Sequence, residues 1–268
     1  MKQQKELMNT EEVKKLQLEI LDDITEFCEK KGLRYFLAYG TLIGAVRHNG
    51  FIPWDDDIDI MMPRPDYEIL CREYAGKNPN LKVICIENNK DCFINFAKVH
   101  DTTTRYQEDY AIETRYGVFV DVFPLDGYMN IIQKKICRYL YYVIHYKSLC
   151  CSKDNSVAKN IAITGIKGVL APVPMRFATR LLVRISQLRD YDKSEYVYYF
   201  SDKIKPLKRI FFENVIYHQF EEKKYCVPSM YDDVLRLQYG DYMKLPPEEQ
   251  RVNKHKATAW REAQGRGR

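Results

Sequence analysis

Four aspartates crowd into five positions of the sequence: Asp55, Asp56, Asp57 and Asp59. An apolar run follows them through Met62 and is typical of a buried strand. Because alternate residues of a strand share a face, we expect Asp57 and Asp59 to point the same way. Adjacent carboxylates repel each other unless a cation lies between them, and such hard oxygen ligands select Mg²⁺ or Mn²⁺. The pattern predicts a metal site, and its alternative is a solvated acidic turn.

A third candidate ligand is Asp121, within the apolar run 118–123. A lone carboxylate on a buried strand is costly unless it is paired or bound to a metal, so we predict that Asp121 completes the site with Asp57 and Asp59. Three carboxylates around a divalent ion suit displacement at phosphorus, because the metal activates the attacking hydroxyl and neutralises the leaving phosphate. Asp126, by contrast, is expected to cap a turn.

Phosphate-binding candidates lie upstream of the acids. Gly40 and Thr41 are predicted at the start of a short helix after a strand, where a close backbone approach and free N–H groups suit a phosphate. Arg47, His48 and Lys98 are further candidates for phosphate contact. For Arg47 and His48 the alternative is that they are ordinary surface charges.

The pattern of elements predicts an α/β (α+β) fold, in which a mixed sheet core carries flanking helices and a helical insertion. Asn9 and Glu12 form a capping-box pattern at the start of the first helix, and Gly32 is a natural end for it. We expect a single domain over 1–268. Its parts are a core over 9–128 and 206–250, a basic helical insertion over 129–205, and a polar tail over 251–268.

Composition and charge narrow the class of protein. With 46% hydrophobic and 29% charged residues, the 268-residue chain is expected to be globular, without long disordered tracts. Residues 131–190 hold eleven Lys/Arg and two Asp/Glu, a net charge of +9 against +5 for the whole chain. This segment predicts either peripheral contact with an anionic membrane or polyanion, or a helical lid whose charges are solvated. Nucleic acid is not an expected partner.

Targeting signals and cysteines bear on location. The polar N-terminus lacks the apolar stretch of a signal peptide, and no run of 18 uncharged apolar residues occurs. The eight cysteines include no C-x-x-C pair, which favours reduced thiols. We therefore expect a cytoplasmic protein. Peripheral contact with the inner face of the membrane is compatible with this location.

The motifs around these residues resemble the LicD family, a branch of the nucleotidyltransferase-fold superfamily that includes fukutin-related protein. They are G-T-L-I-G-A-V-R-H over 40–48, F-I-P-W-D-D-D-I-D-I over 51–60, D-V-F-P-L-D-G over 121–127 and Y-G-D-Y-M-K-L-P-P over 239–247. The resemblance implies a nucleotidyltransferase-like sheet. It assigns the phosphate turn to 40–41, with Thr41 in place of the usual serine, and the three acids to Asp57, Asp59 and Asp121. His255 follows the Pro-Pro step at the family's spacing, either in contact with phosphate or as a solvated histidine.

The resemblance also implies an activity. The chain would transfer phosphocholine or a related phospho-alcohol from CDP-choline or another CDP-linked donor to a sugar hydroxyl, releasing CMP. The acceptor would be a cell-surface glycan of the lipopolysaccharide or teichoic acid type, with a lipid-linked form among the alternatives; fukutin-related protein instead implies transfer of phospho-ribitol. Two other functions stay open: nucleotidyl transfer to a small acceptor, and a non-catalytic membrane- or polyanion-binding protein. The three intact acids favour an enzyme.

Overall fold

The computed structural model describes residues 5–108, 116–149, 156–199, 205–253 and 257–262. Within these ranges there are seven α-helices and twelve strands. The helices are α1 (Thr10–Lys31), α2 (Tyr39–His48), α3 (Arg64–Glu73), α4 (Ile131–Ser148), α5 (Val157–Leu170), α6 (Met175–Ser186) and α7 (Tyr231–Tyr239). The strands are β1 (Lys5–Leu7), β2 (Phe36–Leu37), β3 (Asp59–Pro63), β4 (Leu81–Ile84), β5 (Ala97–Asp101), β6 (Thr104–Gln107), β7 (Phe119–Gly127), β8 (Tyr196–Tyr198), β9 (Leu207–Lys208), β10 (Val215–Phe220), β11 (Lys223–Pro228) and β12 (Thr258–Glu262).

The main sheet has the strand order β2-β3-β7-β5-β4, and β8 joins it by pairing with both β7 and β9. Strands β3 and β7 run parallel, whereas β2 with β3, β5 with β7 and β4 with β5 are antiparallel. Helices α1, α2 and α3 contact this sheet. The predicted α+β class with a mixed sheet is confirmed.

Local signals explain the longest helix. Asn9 Oδ1 accepts a hydrogen bond from the Glu12 N–H, and Glu12 Oε2 accepts one from the Asn9 N–H, so the capping box is present. Gly32 ends α1 with a left-handed φ of 66°, a conformation that favours glycine. Between these caps Ile20, Leu21 and other apolar side chains are fully buried, which packs α1 on the main core.

Strand β7 forms the centre of the sheet, and all nine of its residues are buried. Its Asp126 does not cap a turn as the sequence suggested. Both of its carboxylate oxygens accept hydrogen bonds from Arg64 at the start of α3, at 2.6 and 2.7 Å. With the two residues 2% and 9% exposed, this pair ties α3 to β7 as a buried ion pair.

The basic segment contains three helices, α4, α5 and α6, as the sequence predicts. Helices α4 and α6 share a second hydrophobic cluster with Tyr198 of β8, apart from the main core. No single helix among the described residues is both long and apolar enough to cross a bilayer; α5 and α6 reach that length and composition only as a pair, bent by 75°. The six described cysteines are free thiols, while Cys150 and Cys151 lie outside the described residues.

Candidate active site

Two of the predicted acids lie side by side on neighbouring strands. Asp59 is the first residue of β3 and is in register with Asp121 on β7. Because register partners on parallel strands share a face, the two carboxyl groups lie on the same side of the sheet. Each residue is 9% exposed, so both acids are largely shielded from solvent.

Asp57 lies in a loop, because β3 begins at Asp59 and not at residue 57 as the sequence suggested. Carboxylate oxygens of Asp55, Asp56 and Asp57 approach within 4.8 Å of one another in this loop. One oxygen of Asp56 accepts a hydrogen bond from the Asn253 side chain at 2.7 Å. Sequence reasoning favoured Asp57 over Asp55 and Asp56, and it gave no signal for Asn253.

The acids interact electrostatically. Burial raises the pKa of Asp59 well above its usual range, and the negative charges of Asp57, Asp121 and Asp55 raise it further, while Lys98 lowers it. Four carboxyl groups thus share one partly buried region with a single nearby ammonium among the groups that affect Asp59. Such a concentration of negative charge is a typical setting for a bound cation or a cationic ligand group.

Lys98 lies on β5 opposite Asp121, and its Nζ donates a hydrogen bond to Asp121 Oδ1 at 2.7 Å. The same ammonium lies 3.3 Å from the centroid of the Phe119 ring, and the residue is 3% exposed. A buried, paired lysine of this kind orients its partner carboxylate. Phosphate contact by Lys98 stays a prediction.

Gly40 and Thr41 lie in the first turn of α2, next to the acids. The Asp59 N–H donates to Thr41 Oγ1 at 2.8 Å, and the Ala38 N–H donates to the Asp59 carbonyl at 2.9 Å. Residues at the start of α2 therefore hydrogen-bond to both the N–H and the carbonyl of Asp59. A Cβ at Gly40 would collide with Asp55 Oδ2, so the glycine makes room for that carboxylate at the helix N-terminus.

Arg47 and His48 lie in the last turn of α2, about 10 Å along the helix from Gly40. Arg47 donates to the Tyr242 carbonyl at 2.5 Å and to His48 Nε2 at 2.9 Å. Burial and the Arg47 charge lower the pKa of His48, which favours the neutral imidazole. These contacts join α2 to the 239–247 motif, while His255 lies outside the described residues.

Tyr39 was missed by sequence reasoning. It begins α2 with a positive φ of 47°, and its hydroxyl is buried without a hydrogen-bond partner among the described residues. Burial raises the pKa of Tyr39 strongly, and Tyr199, Tyr239 and Asp59 raise it further. The hydroxyl therefore lies beside the acids, in an environment that disfavours its ionisation.

An aromatic group extends from Tyr39 across the sheet. The Tyr39 ring meets Phe123 edge-on at 5.1 Å between centroids, and Phe123 contacts Phe96 at 4.6 Å and Tyr199 at 4.9 Å. Tyr39 and Phe96 are half-buried. Aromatic rings thus border the carboxylates on one side.

The acidic loop is supported from a distant hairpin. Glu221, in the turn between β10 and β11, accepts a hydrogen bond from the Phe51 N–H at 2.9 Å. The Glu221 N–H donates in turn to the Asn49 carbonyl at 2.8 Å. These bonds fix the chain just before the four aspartates.

Comparisons with known proteins identify the family of the chain. The family model of the LicD/FKTN/FKRP nucleotidyltransferase domain matches residues 32–158. The chain is 30% identical over 257 residues to the lipopolysaccharide cholinephosphotransferase LicD of Haemophilus influenzae, covering 89% of this chain and 92% of that protein. It is also 34% identical over 123 residues to an uncharacterised protein of Rickettsia typhi, covering 41% of this chain and 38% of that protein. With one relative matched over nearly its whole length and the acids brought together as described, the chain belongs to the LicD family and is an enzyme of that family.

Proposed function

We propose that this enzyme transfers phosphocholine, or a related phospho-alcohol, from a CDP-linked donor to a sugar hydroxyl of a cell-surface glycan of the lipopolysaccharide or teichoic acid type. The observation that carries the proposal is the pairing of Asp59 with Asp121 beside Asp57 and the start of α2. The near-full-length similarity to a protein named as a lipopolysaccharide cholinephosphotransferase supports the transferred group and the acceptor class. CDP-choline is the proposed donor and CMP the released product.

The donor set fits a divalent cation. Buried carboxylates outnumber nearby cations, and Asp56 Oδ1 is buried without a hydrogen-bond partner among the described residues. We assign Mg²⁺ or Mn²⁺ to Asp57, Asp59 and Asp121, with Asp55 within electrostatic reach. When bound, such an ion neutralises diphosphate charge and polarises the reacting phosphoryl group.

The proposed step is an in-line displacement at the phosphorus that bears the alcohol. The acceptor oxygen forms a new bond to that phosphorus, the bond to the bridging oxygen of CMP breaks, and the hydroxyl proton passes to a carboxylate of the cluster. Lys98 holds Asp121 in position for this work, and Thr41 with Ala38 fixes the Asp59 backbone. Fixed groups of this kind lower the barrier because little reorganisation remains.

The aromatic group favours choline among the alcohols. A quaternary ammonium binds to the faces of tyrosine and phenylalanine rings, and Tyr39 and Phe96 are the half-buried members beside the acids. We propose that the reaction takes place in the cytoplasm, a reducing compartment that suits the six free thiols of the described residues.

The test mixes the full chain, Mg²⁺, a glycan acceptor and a panel of CDP-choline, CDP-ribitol, CDP-glycerol and CDP-ethanolamine, and measures CMP release. We expect CMP only with an acceptor present, fastest with CDP-choline, and abolished by EDTA. Mass spectrometry of the acceptor should show one added phosphocholine.

A different product pattern would overturn the proposal. If a nucleoside triphosphate yields diphosphate and a nucleotidylated acceptor, the enzyme is a nucleotidyltransferase. If no CDP-alcohol yields CMP above the level of an Asp59→Asn control, the proposed transfer is wrong. Faster reaction with CDP-ribitol would keep the chemistry and replace the transferred group.

A further inference from the structure

Helix α5 has an unusual distribution of side chains. It lies in the basic segment, and Ile163 is its single buried residue. Nine of its residues are exposed, and of these only Lys159 is charged. A surface helix of a globular protein normally turns its charged residues outward, so α5 is inverted.

The outward face of α5 is apolar along its length. Val157, Ile161 and Val169 are 75%, 68% and 80% exposed. They recur at intervals of four and eight residues, with Gly165 completing the stripe, so they lie along one side of the helix. The hydroxyl of Thr164 on this side donates to the Asn160 carbonyl at 2.9 Å, which satisfies a polar group that would otherwise need water.

The position of α5 is fixed by the rest of the insertion. Lys147 of α4 donates to the carbonyls of Leu170 and Val173 at 3.0 and 2.5 Å, at the corner between α5 and α6. A lysine at the carboxyl end of a helix also stabilises the helix dipole. This contact ties the carboxyl end of α5 to α4.

Charge identifies the surface that would cover this stripe. Residues 131–149 and 156–190, the described part of the basic segment, contain ten Lys/Arg and one acid, Asp190. Lys135, Arg138, Arg180 and Arg184 are exposed on the neighbouring helices. An apolar stripe within a strongly basic segment is complementary to an anionic lipid surface, in which acyl chains lie beneath phosphate groups.

The geometry favours a helix that lies on the membrane. With 14 residues α5 is about 21 Å long, shorter than the roughly 30 Å hydrocarbon core. Helix α6 buries Ala178 and Leu182 against α4, so it is committed to the protein and cannot extend α5 across a bilayer.

We propose that α5 docks the enzyme on an anionic phospholipid membrane, with Val157, Ile161 and Val169 entering the interface and the basic residues contacting lipid phosphates. Docking does not depend on which group the enzyme transfers. It would hold the acidic site near acceptors that are themselves attached to lipid.

The test is co-sedimentation of the full chain with vesicles of phosphatidylcholine alone or with 30% phosphatidylglycerol. We expect binding to the anionic vesicles, weaker binding as salt shortens the Debye length, and little binding to neutral vesicles. The affinity of the variant Ile161→Glu/Val169→Glu for anionic vesicles should be lower by about tenfold or more. The matched control is Leu7→Glu, because Leu7 is 68% exposed on β1, like Ile161, and its variant should bind as wild type.

Thermal melting and CMP release with a soluble acceptor should be unchanged in the double variant, because none of these residues contacts the acids. Three results would overturn the proposal: equal binding to both vesicle types, equal binding by the double variant, or an oligomer without vesicles that the double variant abolishes. The last would show that the stripe contacts a second copy of the chain.

Discussion

Asp59 and Asp121 are register partners on two adjacent parallel strands, and of these two acids it is Asp121 that forms a direct ion pair with Lys98 among the described residues. The two acids therefore play different parts in stability although both are proposed to act in one site. Substitutions at the two positions should separate these effects.

For Asp59→Asn we expect a loss of transfer of roughly 10³-fold or more, because a lost metal ligand removes several kcal/mol of transition-state stabilisation. In EDTA the variant should melt higher than wild type, since burial and the charges of Asp57, Asp121 and Asp55 penalise an ionisable carboxyl at this position, whereas the amide carries no charge. CMP release and melting curves measure the two effects. The exposed Asp190→Asn variant serves as the control, and wild-type turnover in Asp59→Asn would refute the assignment.

For Asp121→Ala we expect a loss of stability of about 3–5 kcal/mol, because the variant leaves Lys98 buried without its carboxylate. Repulsion among the acids acts in the opposite direction, because removing Asp121 would relieve it. Urea unfolding in EDTA distinguishes the two. Lys98→Met/Asp121→Ala should regain much of the stability without activity, whereas a single variant more stable than wild type would show that repulsion dominates.

Gly40→Ala should lower activity about 100-fold with little change in melting temperature. The added methyl would displace the flexible end of Asp55, and small misplacements of reacting groups have effects of this size. Gly168→Ala is the matched control, because a Cβ there meets open space. Unchanged steady-state kinetics in Gly40→Ala would show that the position of the Asp55 carboxylate does not matter.

Tyr39→Phe should be at least as stable as wild type, because it removes a buried hydroxyl that has no partner among the described residues. If the hydroxyl contacts the donor, KM for CDP-choline should rise about tenfold, the effect of one lost hydrogen bond. Tyr39→Leu also removes the ring and should lose more. Kinetics equal to wild type in Tyr39→Phe would limit Tyr39 to packing.

Acid sensitivity should depend on His100. Burial lowers its pKa from 6.5 to about 4, and its Nδ1 accepts a hydrogen bond from the Gly117 N–H. Between these pKa values the unfolded chain binds more protons, so stability falls as pH drops from 6.5 to about 4, by roughly 3 kcal/mol from this residue.

His100→Asn keeps an acceptor near Nδ1 and removes the titration. Urea unfolding of both proteins at pH 7 and pH 4.5 isolates the contribution of His100 to stability, since the remaining titratable groups are the same in the two proteins. An identical loss of stability in the two proteins would contradict the prediction.

Local patterns predicted the parts of the fold that short segments determine. The caps of α1 at Asn9 and Gly32 are where the sequence places them, and the alternation around Asp59 and Asp121 predicted two buried, acid-bearing strands. The start of β3 at residue 59 was missed, because it depends on bonds from Thr41 and Ala38. The spacing of apolar and polar residues along the chain carries no information about such bonds.

Contacts between residues far apart in the sequence could not be predicted either. The Lys98–Asp121 pair follows from strand order, and the buried pair of Arg64 with Asp126 follows from the packing of α3 on β7. The burial of the Tyr39 hydroxyl depends on side chains from several elements. Such features become visible only once the sheet is assembled.

The supports of the acidic loop have a consequence for the order of folding. Glu221 and Asn253 contact this loop across sequence separations of 170 and 197 residues. Contacts of such long range close late, because the entropy of the intervening chain must be overcome first. During synthesis the aspartates emerge long before the residues that hold them. We therefore expect a nascent chain to form α1 and the first strands before the hairpin of β10 and β11 fixes the acidic loop, so that the site is completed late in folding.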